Sequence, residues 1–579
     1  MGKIKEFIKT NPSLRFFYRG LKYWKDKFYG SFHAKQVYKQ SKRALYKQLH
    51  PSKAVLGKES SVTLSKQPSF TVVVSISAYS GHLPLLVNSL LAQTYQKWEL
   101  ILVPRLPDSL LFDSFQKIAG EDTRIRLLET AGGVKALVAK GLGSYVAFLE
   151  EKSSLHPSAL FQIVKALNDR DTDYIYTDSC LIEGNHYTPH YKPDFAPDTL
   201  RSMNYIGGFG VVAETLLTSL DDSWDIGDLY DLWFRCTEKA SNVYHIPEVL
   251  HYGHHQEGAV SSSSLQAVAD HLQRLERKGT ASFDPSSQVL KISYEIIGNP
   301  LVSIIIPNKD HISELQPCIE SILDKSTYRN FEIMIVENNS TKQETFAYYE
   351  KLKKTHTNIH IVVWEGVFNY AAINNFGVGH CKGEHLLFLN NDTTVITPSW
   401  IEEMLMYSQR EDIGLVGGML YYPDDTIQHA GLVVGVDAGS QSYAEHLYRG
   451  LPKGNPGYSS DLLRVRNVSA LTGACLMTSR KAFTQCNGFD EDFAVQFNDI
   501  DLCLKAMSLG MVNVFTPYAQ LYHYESKSRP LDDSSASQLS RYYKARDDFY
   551  GKWKSVLDGD DPYFNKNLHI SLEKYTFLF

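Results

Sequence analysis

LVSIIIPNKD, residues 301–310, is a run of aliphatic, largely β-branched side chains that ends in polar ones. An unbroken apolar run suits a strand buried on both faces of a parallel sheet rather than one with a wet side. ELQPCIESILDKSTYRNFEIMIV (314–336) follows, a helical segment and then a second strand. The same succession occurs earlier in the chain. FTVVVSISAYS (70–80) precedes LPLLVNSLLAQTYQKWELILV (83–103), and Trp98-Glu99-Leu100 matches Phe331-Glu332-Ile333 at an offset of 233. YVAFLEE (145–151) matches HLLFLNN (385–391) at an offset of 240. The spacing predicts an internal repeat. Two α/β units are expected, each a mostly parallel sheet with right-handed crossovers. Their limits are set at 69–290 and 298–530.

Outside the repeats lie two extensions. The chain has 579 residues and a net charge of −6. Residues 1–58 carry 15 Lys or Arg against Glu6 and Asp26, a net +13, which leaves −19 on the rest. Phe17, Leu21, Trp24 and Phe28 share one helical face there, with Lys22 and Lys25 off it. A basic amphipathic helix of this kind fits an anionic membrane surface. A solvated helix, or one packed on the acidic body, is the plainer reading. RNA is the weaker candidate, since no nucleic-acid motif accompanies the charge, and no nucleic-acid partner is expected. Residues 531–579 read as a helix and a tail packed on the second unit, with Tyr542, Phe549 and Trp553 facing the core.

Composition narrows the class. The chain is 43% hydrophobic and 21% charged, which excludes a disordered, collagenous or mucin-like chain. Seven scattered cysteines, with no C-x-x-C, argue against a disulfide framework or a structural zinc site. No run of about 18 apolar residues exists, so no membrane-spanning helix is expected. The predicted location is the cytoplasm, peripherally on the inner face of the plasma membrane.

Open α/β sheets bind ligands beyond the carboxyl ends of their strands. In the second repeat four strand ends are polar: Pro307-Asn308-Lys309-Asp310, Glu337-Asn338-Asn339-Ser340, Asn390-Asn391-Asp392-Thr393 and Asn498-Asp499-Ile500-Asp501. His523 ends a further strand. Asp392 and His523 offer an oxygen and a nitrogen to a divalent cation, Mg2+ or Mn2+, whose remaining sites suit substrate phosphates. Glu337 can accept hydrogen bonds from a base or sugar. Asp499 is a candidate general base.

With these motifs the second unit resembles the GT-A domain of bacterial family 2 glycosyltransferases, of the rhamnosyltransferase and O-antigen type. The resembling segments include FNYAAINNFGV (368–378), LLFLNNDTTVITPSWIEEML (386–405), IGLVGGMLYYPDDTIQHAG (413–431), VSALTGACLMTSR (468–480), GFDEDFAVQFNDIDLCLK (488–505) and VFTPYAQLYHYESKSR (514–529). The resemblance implies a nucleotide-sugar donor, a divalent metal and inversion at the anomeric carbon. It places Pro307, Asn308, Asp310, Glu337 and Asn339 around the nucleotide. Asn390, Asn391 and Asp392 stand at the family's D-x-D motif, so metal ligation rests on Asp392 and His523. Asp499 stands at the base position with Asn498 in place of a Glu, and Gly473 and Ala474 line the acceptor side. Lys527 and Arg529 meet the diphosphate or lie in a solvated loop.

The first repeat has lost these groups. Pro104 stands opposite Glu337, Glu150-Glu151-Lys152 opposite Asn390-Asn391-Asp392, and Leu229 opposite Asp499. GGVKALVAKGL (132–142) is a shortened counterpart of 368–378. The first unit is therefore expected to pack or to bind acceptor rather than catalyse. His251, His254 and His255 read as loop histidines. The expected reaction is transfer of a sugar, with dTDP-rhamnose favoured as donor and UDP-hexose as alternative, to a lipid-linked growing saccharide. A non-catalytic scaffold in a polysaccharide assembly complex is the rival class.

Overall fold

The structure is a computed structural model and describes residues 42–76, 81–105, 122–128, 143–184, 186–221, 223–253, 262–285, 287–435, 443–524 and 536–568. The amphipathic face of residues 17–28, the 132–142 segment, His254, His255, Lys527 and Arg529 lie outside these residues.

Two sheets organise the chain. The first contains β1 (Phe70–Ile76), β2 (Trp98–Pro104), β3 (Ile125–Leu127), β4 (Tyr145–Leu149), β5 (Ser153–Leu155), β6 (Tyr174–Glu183), β7 (His186–His190), β8 (Phe209–Ala213) and β9 (Val243–Gly253). A hairpin, β10 (Gly279–Asp284) and β11 (Val289–Tyr294), leads to the second. There lie β12 (Val302–Asn308), β13 (Phe331–Glu337), β14 (Ile359–Val363), β15 (His385–Leu389), β16 (Thr393–Val395) and β17 (Ile413–Tyr421). They are followed by β18 (Ile427–His429), β19 (Leu432–Val434), β20 (Ala444–His446), β21 (Arg466–Asn467), β22 (Cys475–Ser479) and β23 (Val512–His523).

The strand orders coincide. One runs β3-β2-β1-β4-β8-β6-β9-β5, the other β14-β13-β12-β15-β22-β17-β23-β16. The pairings match as well. Four parallel strands form one half, β3-β2-β1-β4 and β14-β13-β12-β15. Antiparallel pairs β4–β8 and β15–β22 then begin a mixed half. β19 and β20 form a small separate ribbon.

Local chemistry is copied too. Strands β1 and β12 are almost wholly buried, in the same pattern. The helices after them, Leu83–Leu91 and Ile312–Lys325, bury Leu83, Leu86, Val87 and Leu90 in one and Leu315, Cys318, Ile319 and Ile322 in the other. That i, i+3, i+4, i+7 spacing is the stripe one sheet face requires. Thr71 Oγ1 donates to Glu99 at 2.8 Å and accepts from Gly143 N at 3.0 Å; Ser303 Oγ donates to Glu332 at 2.6 Å and accepts from Gly383 N at 2.8 Å. Both glycines are needed for this approach. A Cβ would sit 2.6 Å from Ser69 O at position 143 and 2.7 Å from Ser303 N at position 383.

The two sheets share one apolar cluster that includes Trp233, Tyr294, Trp400 and Tyr407. A buried ionic knot also joins them. Asp198 bonds Arg201 from its own side and Arg410 from the other, and its amide donates to Asn467 Oδ1 at 2.8 Å. Burial raises the Asp198 carboxyl, but Arg410 and Arg201 outweigh it and hold the group well below the usual carboxylate range.

The C-terminal helix Ala536–Leu557 docks by Phe549, fully buried and stacked on Phe497 at 4.7 Å, and by Trp553 Nε1, which donates to Asp501 at 2.8 Å. The segment after it reaches further than a tail packed on the second unit. Asp561 Oδ2 accepts from Val434 N at 2.7 Å, whereas Asn565 Nδ2 donates to Asp178 at 3.0 Å in the first sheet. All seven cysteines are free thiols. Among the described residues no helix is long and apolar enough to cross a membrane.

Candidate active site

The carboxyl ends of β12, β13 and β15 lie side by side, because Asn308 pairs with Glu337 and β15 runs along the other flank of β12. Asn391 Nδ2 donates to Asn308 Oδ1 at 2.7 Å, and Asn308 Nδ2 donates to Tyr349 Oη at 2.8 Å. Tyr349 donates in turn to Glu337 Oε2 at 2.7 Å. The Glu337 carboxylate is buried and also accepts from the amide and hydroxyl of Ser340. Its oxygens are thus engaged by its own turn, and the side chain shapes the strand end instead of projecting from it. Pro307 is the penultimate residue of β12.

Asp310 and Asn339 flank this group, both in left-handed backbone, with φ of 60° and 59°. Asp310 Oδ1 accepts from the amides of Thr341 and Lys342, each at 2.8 Å. Burial pushes its carboxyl up, but those hydrogen bonds, with the Thr341 hydroxyl and the Lys342 charge, together outweigh it and hold the group below the ordinary carboxylate range. Asn339 Nδ2 donates to Gly366 O at 2.9 Å.

Asp392 and His523 come together. β16 pairs with the last residues of β23, which sets Thr393 opposite His523. Asp392 Oδ1 then lies 3.1 Å from His523 Nε2, with both side chains buried. His523 Nδ1 meets Gln428 Oε1 at 2.7 Å, and Asn390 Nδ2 meets Nε2 at 3.2 Å. A carbonyl oxygen only accepts and an amide nitrogen only donates. With Nδ1 donating to Gln428, Nε2 is the ring nitrogen left to share a cation with the Asp392 carboxylate. Two electron-pair donors so placed suit a shared cation. Neighbouring ligands on an octahedral ion at ~2.1 Å stand about 3.0 Å apart, close to the separation seen. The donor set therefore fits Mg2+ or Mn2+, with two protein ligands and open positions for substrate oxygens. Among the described residues no cluster of three or more His, Cys, Asp or Glu forms a complete metal cage.

Asp499 opens the helix Asn498–Ser508. Its Oδ2 accepts from Gly473 N at 2.8 Å and its Oδ1 from Ile500 N at 2.9 Å. Burial raises its pKa, and these amides only partly oppose the shift. Gly473 O accepts from Tyr370 Oη at 2.8 Å, and Ala474 O accepts from Asn390 N at 3.1 Å. The Gly473-Ala474 pair thus connects the Asp499 side to the Asp392–His523 side. Asn498 does not face this space. It is buried, and its Nδ2 donates to Phe493 O and Val495 O, both at 3.1 Å, holding the loop before the helix.

Asn391, Asn308, Tyr349 and Glu337 thus form one hydrogen-bonded chain, and Asp499, Gly473, Ala474, Asn390, His523 and Asp392 another, the two joined through the adjacent Asn390 and Asn391, whereas Asn339 and Asn498 bond neighbouring backbone. Sequence reading missed Gln428, Tyr349 and Tyr370. Gln428 lies 95 positions from His523, and no spacing rule joins them.

In the first sheet the same frame holds other residues. β4 ends at Leu149 as β15 ends at Leu389, so Lys152 takes the place of Asp392. Ser153 pairs with Gly253 as Thr393 pairs with His523, so a glycine replaces the imidazole. The helix Leu229–Lys239 begins at Leu229 as the other begins at Asn498, which sets Tyr230 rather than Leu229 on Asp499. Tyr230 is buried, and its hydroxyl donates to Leu200 O. His251 is a core residue, stacked on Phe209, with Nε2 2.8 Å from Ser153 Oγ.

Residues 303–485 match the family model described as Glycosyl transferase family 2. The chain is 33% identical over 545 residues to an uncharacterized protein, y4gI, of Sinorhizobium fredii, covering 89% of this chain and 59% of that one. It is 32% identical over 550 residues to the O-antigen biosynthesis protein RfbC of Myxococcus xanthus, covering 90% of this chain and 42% of that one. The chain thus spans about half the length of these two relatives. Over 95 residues it is 34% identical to the N-acetylglucosaminyl-diphospho-decaprenol L-rhamnosyltransferase of Mycobacterium tuberculosis, 16% of this chain and 31% of that one.

Proposed function

We propose, on the premise that residues 303–485 carry a family 2 glycosyl transferase region, that this chain transfers a sugar from a nucleoside diphosphate to a saccharide hydroxyl with inversion. The favoured donor is dTDP-rhamnose and the acceptor a lipid-linked growing saccharide. Similarity to a rhamnosyltransferase and to an O-antigen biosynthesis protein supports both. The observation that carries the reading is the 3.1 Å approach of Asp392 and His523 within the framework that also holds Asp499.

Asp499 is the base. Each of its oxygens accepts one amide hydrogen bond, which fixes the carboxylate and leaves further lone pairs for an acceptor hydroxyl. It removes the proton as that oxygen attacks the anomeric carbon from the side opposite the diphosphate. Asp392 and His523 would hold Mg2+ or Mn2+, which neutralises charge on the departing diphosphate. Asn308, Asn391 and the turn braced by Glu337 shape the nucleotide side, with Asp310 and Asn339 at its edge. The 69–290 unit serves as a packing and acceptor-side partner of the 298–530 unit. The +13 charge of residues 1–58 supports contact with an anionic membrane surface at the cytoplasmic face.

The test is incubation of the full chain with a panel of nucleotide sugars and a lipid-linked saccharide acceptor, with product mass and linkage read out. Transfer from one donor, lost in Asp499→Asn and in Asp392→Ala, is expected. Wild-type turnover in Asp499→Asn overturns the assignment of the base, and chelator-insensitive turnover removes the metal.

A further inference from the structure

The turn before Asp499 holds a backbone that its own residue does not favour. Phe497, just ahead of the helix Asn498–Ser508, has φ 66° and ψ −3°. That is the left-handed region, where a Cβ crowds the backbone, and for a bulky residue it is an outlier. Glycine adopts it at little cost. The chain instead places a phenylalanine there, 6% exposed. Such a conformation persists only where its surroundings over-determine it.

Those surroundings arrive from two sides. Within the loop, Asn498 ties Phe493 O and Val495 O, and Tyr370 N donates to Ala494 O at 2.7 Å. From the far end of the sequence comes the helix Ala536–Leu557. Its Phe549 ring lies within 14° of parallel to that of Phe497 and stands edge-on to that of Phe493 at 5.7 Å. One buried ring thus braces both ends of the turn. Lys552 and Trp553, at i+3 and i+4 on the same helical face, reach Asp501 at 2.7 Å and 2.8 Å. Lys552 also meets Asp490 at 2.6 Å. The C-terminal helix therefore grips the chain two residues before Asp499 and two residues after it. Between those grips the Asp499 carboxylate accepts from Gly473 N and Ile500 N. Released, Phe497 would relax to negative φ and swing the first helical turn away from Gly473.

We propose that Phe549 is a positioning residue, which holds Phe497 in its left-handed turn and thereby aims the Asp499 carboxylate at the acceptor hydroxyl. The inference rests on the reading of Asp499 as the base.

Variants of the full chain separate strain from packing. Phe497→Ala and Phe497→Gly both remove the ring that Phe549 grips, but only alanine keeps the strain. With saturating donor and acceptor, kcat in Phe497→Ala should lie at least about fivefold below that in Phe497→Gly. Phe549→Leu keeps most of the apolar volume and loses the flat ring. It should lower kcat about tenfold with donor KM within about twofold, because the nucleotide side lies on other strands. In the same variant, hydrogen exchange should speed up at the Gly473 and Ile500 amides while peptides of the first unit keep wild-type rates. Equal kcat in the alanine and glycine variants, a change in donor KM in place of kcat, or wild-type exchange at those two amides overturns the proposal. A wild-type chain without transfer activity, or Asp499→Asn at full rate, overturns the base assignment and the inference with it. The exchange contrast persists in that case and so tells the two failures apart.

Discussion

The first and second sheets have the same strand order, the same parallel half and the same Thr/Ser–Glu–Gly hydrogen bonds inside it, yet their strand ends share almost nothing. Where the second ends in Glu337, the Asn390-Asn391-Asp392 run and His523, the first ends in Pro104, the Glu150-Glu151-Lys152 run and Gly253. The difference shows that fold and chemistry are written in separate places. Buried strand interiors specify the sheet, because each substitution there opens a cavity or strands a polar atom. Strand ends face solvent or ligand, and their identity can change without unmaking the sheet. A lysine with a glycine cannot supply the carboxylate and imidazole that are proposed to hold a cation in the second unit, so the frame persists without that pair.

The comparison breaks most readily at Asp499. Asp499→Asn should lower the transfer rate by about 10²–10⁴-fold, the range a positioned general base supplies, as read from initial rates with saturating donor. A variant that retains full rate would show that Asp499 is not the base and would remove that contrast between the two units. The joint between the units comes next. Arg410→Met leaves Asp198 as a buried carboxylate short of a partner and should cost about 3–5 kcal/mol in denaturant unfolding. A loss below about 1 kcal/mol would show that the two sheets stand independently.

Gln428→Leu sharpens the account of the Asp392–His523 pair as a proposed metal site. It removes the acceptor that keeps the proton on His523 Nδ1, and Mn2+ affinity measured by calorimetry should fall by about 10–100-fold. The pH profile gives a smaller effect. The pKa of Asp499 is raised by burial, so the base form appears only above the ordinary carboxylate value of about 3.9. Rate should therefore fall with unit slope as pH drops through that raised value, and a flat rate down to the ordinary value would contradict it. In stability the sign is opposite. The folded state holds this proton more tightly than the unfolded chain, so the group's contribution declines as pH rises across the same window. Last, Lys152→Ala, at an exposed site in the first unit, should leave transfer within about twofold of wild type.

Much of this was readable from residues alone. The strand runs at 70–80 and 301–310 and the WEL/FEI match expose the repeat, because buried parallel strands leave an unbroken apolar signature. The polar strand ends point to the site for the reason given above. Three features escaped. The loss of His523 in the first unit is hidden because register shifts along β6–β9 and β17–β23 displace any count, so Gly253 is found only through its pairing with Ser153. Glu337 and Asn498 look like ligand contacts in sequence but bond their own turns: Ser340 lies three positions after Glu337 and the 493–495 backbone just before Asn498, with Tyr349 added from 12 positions on, and no residue pattern marks which polar side chain will fold back. The reach of residues 561–568 into both units has no periodic signal, as single capping contacts repeat nothing.

That last feature bears on how the chain is made. Asp178 sits at the heart of the first sheet, wholly buried, and accepts from Asn565, 387 residues downstream. At ~5–20 residues per second, the ribosome delivers that amide roughly 20–80 s after the carboxylate it bonds. During that interval the first half has its strands but not its last hydrogen bonds, and Asp198 likewise waits for Arg410. Until residues 561–568 emerge, Asp178 has His245 and the Lys192 amide but not Asn565, so the first unit lacks a contact that the later part of the chain supplies.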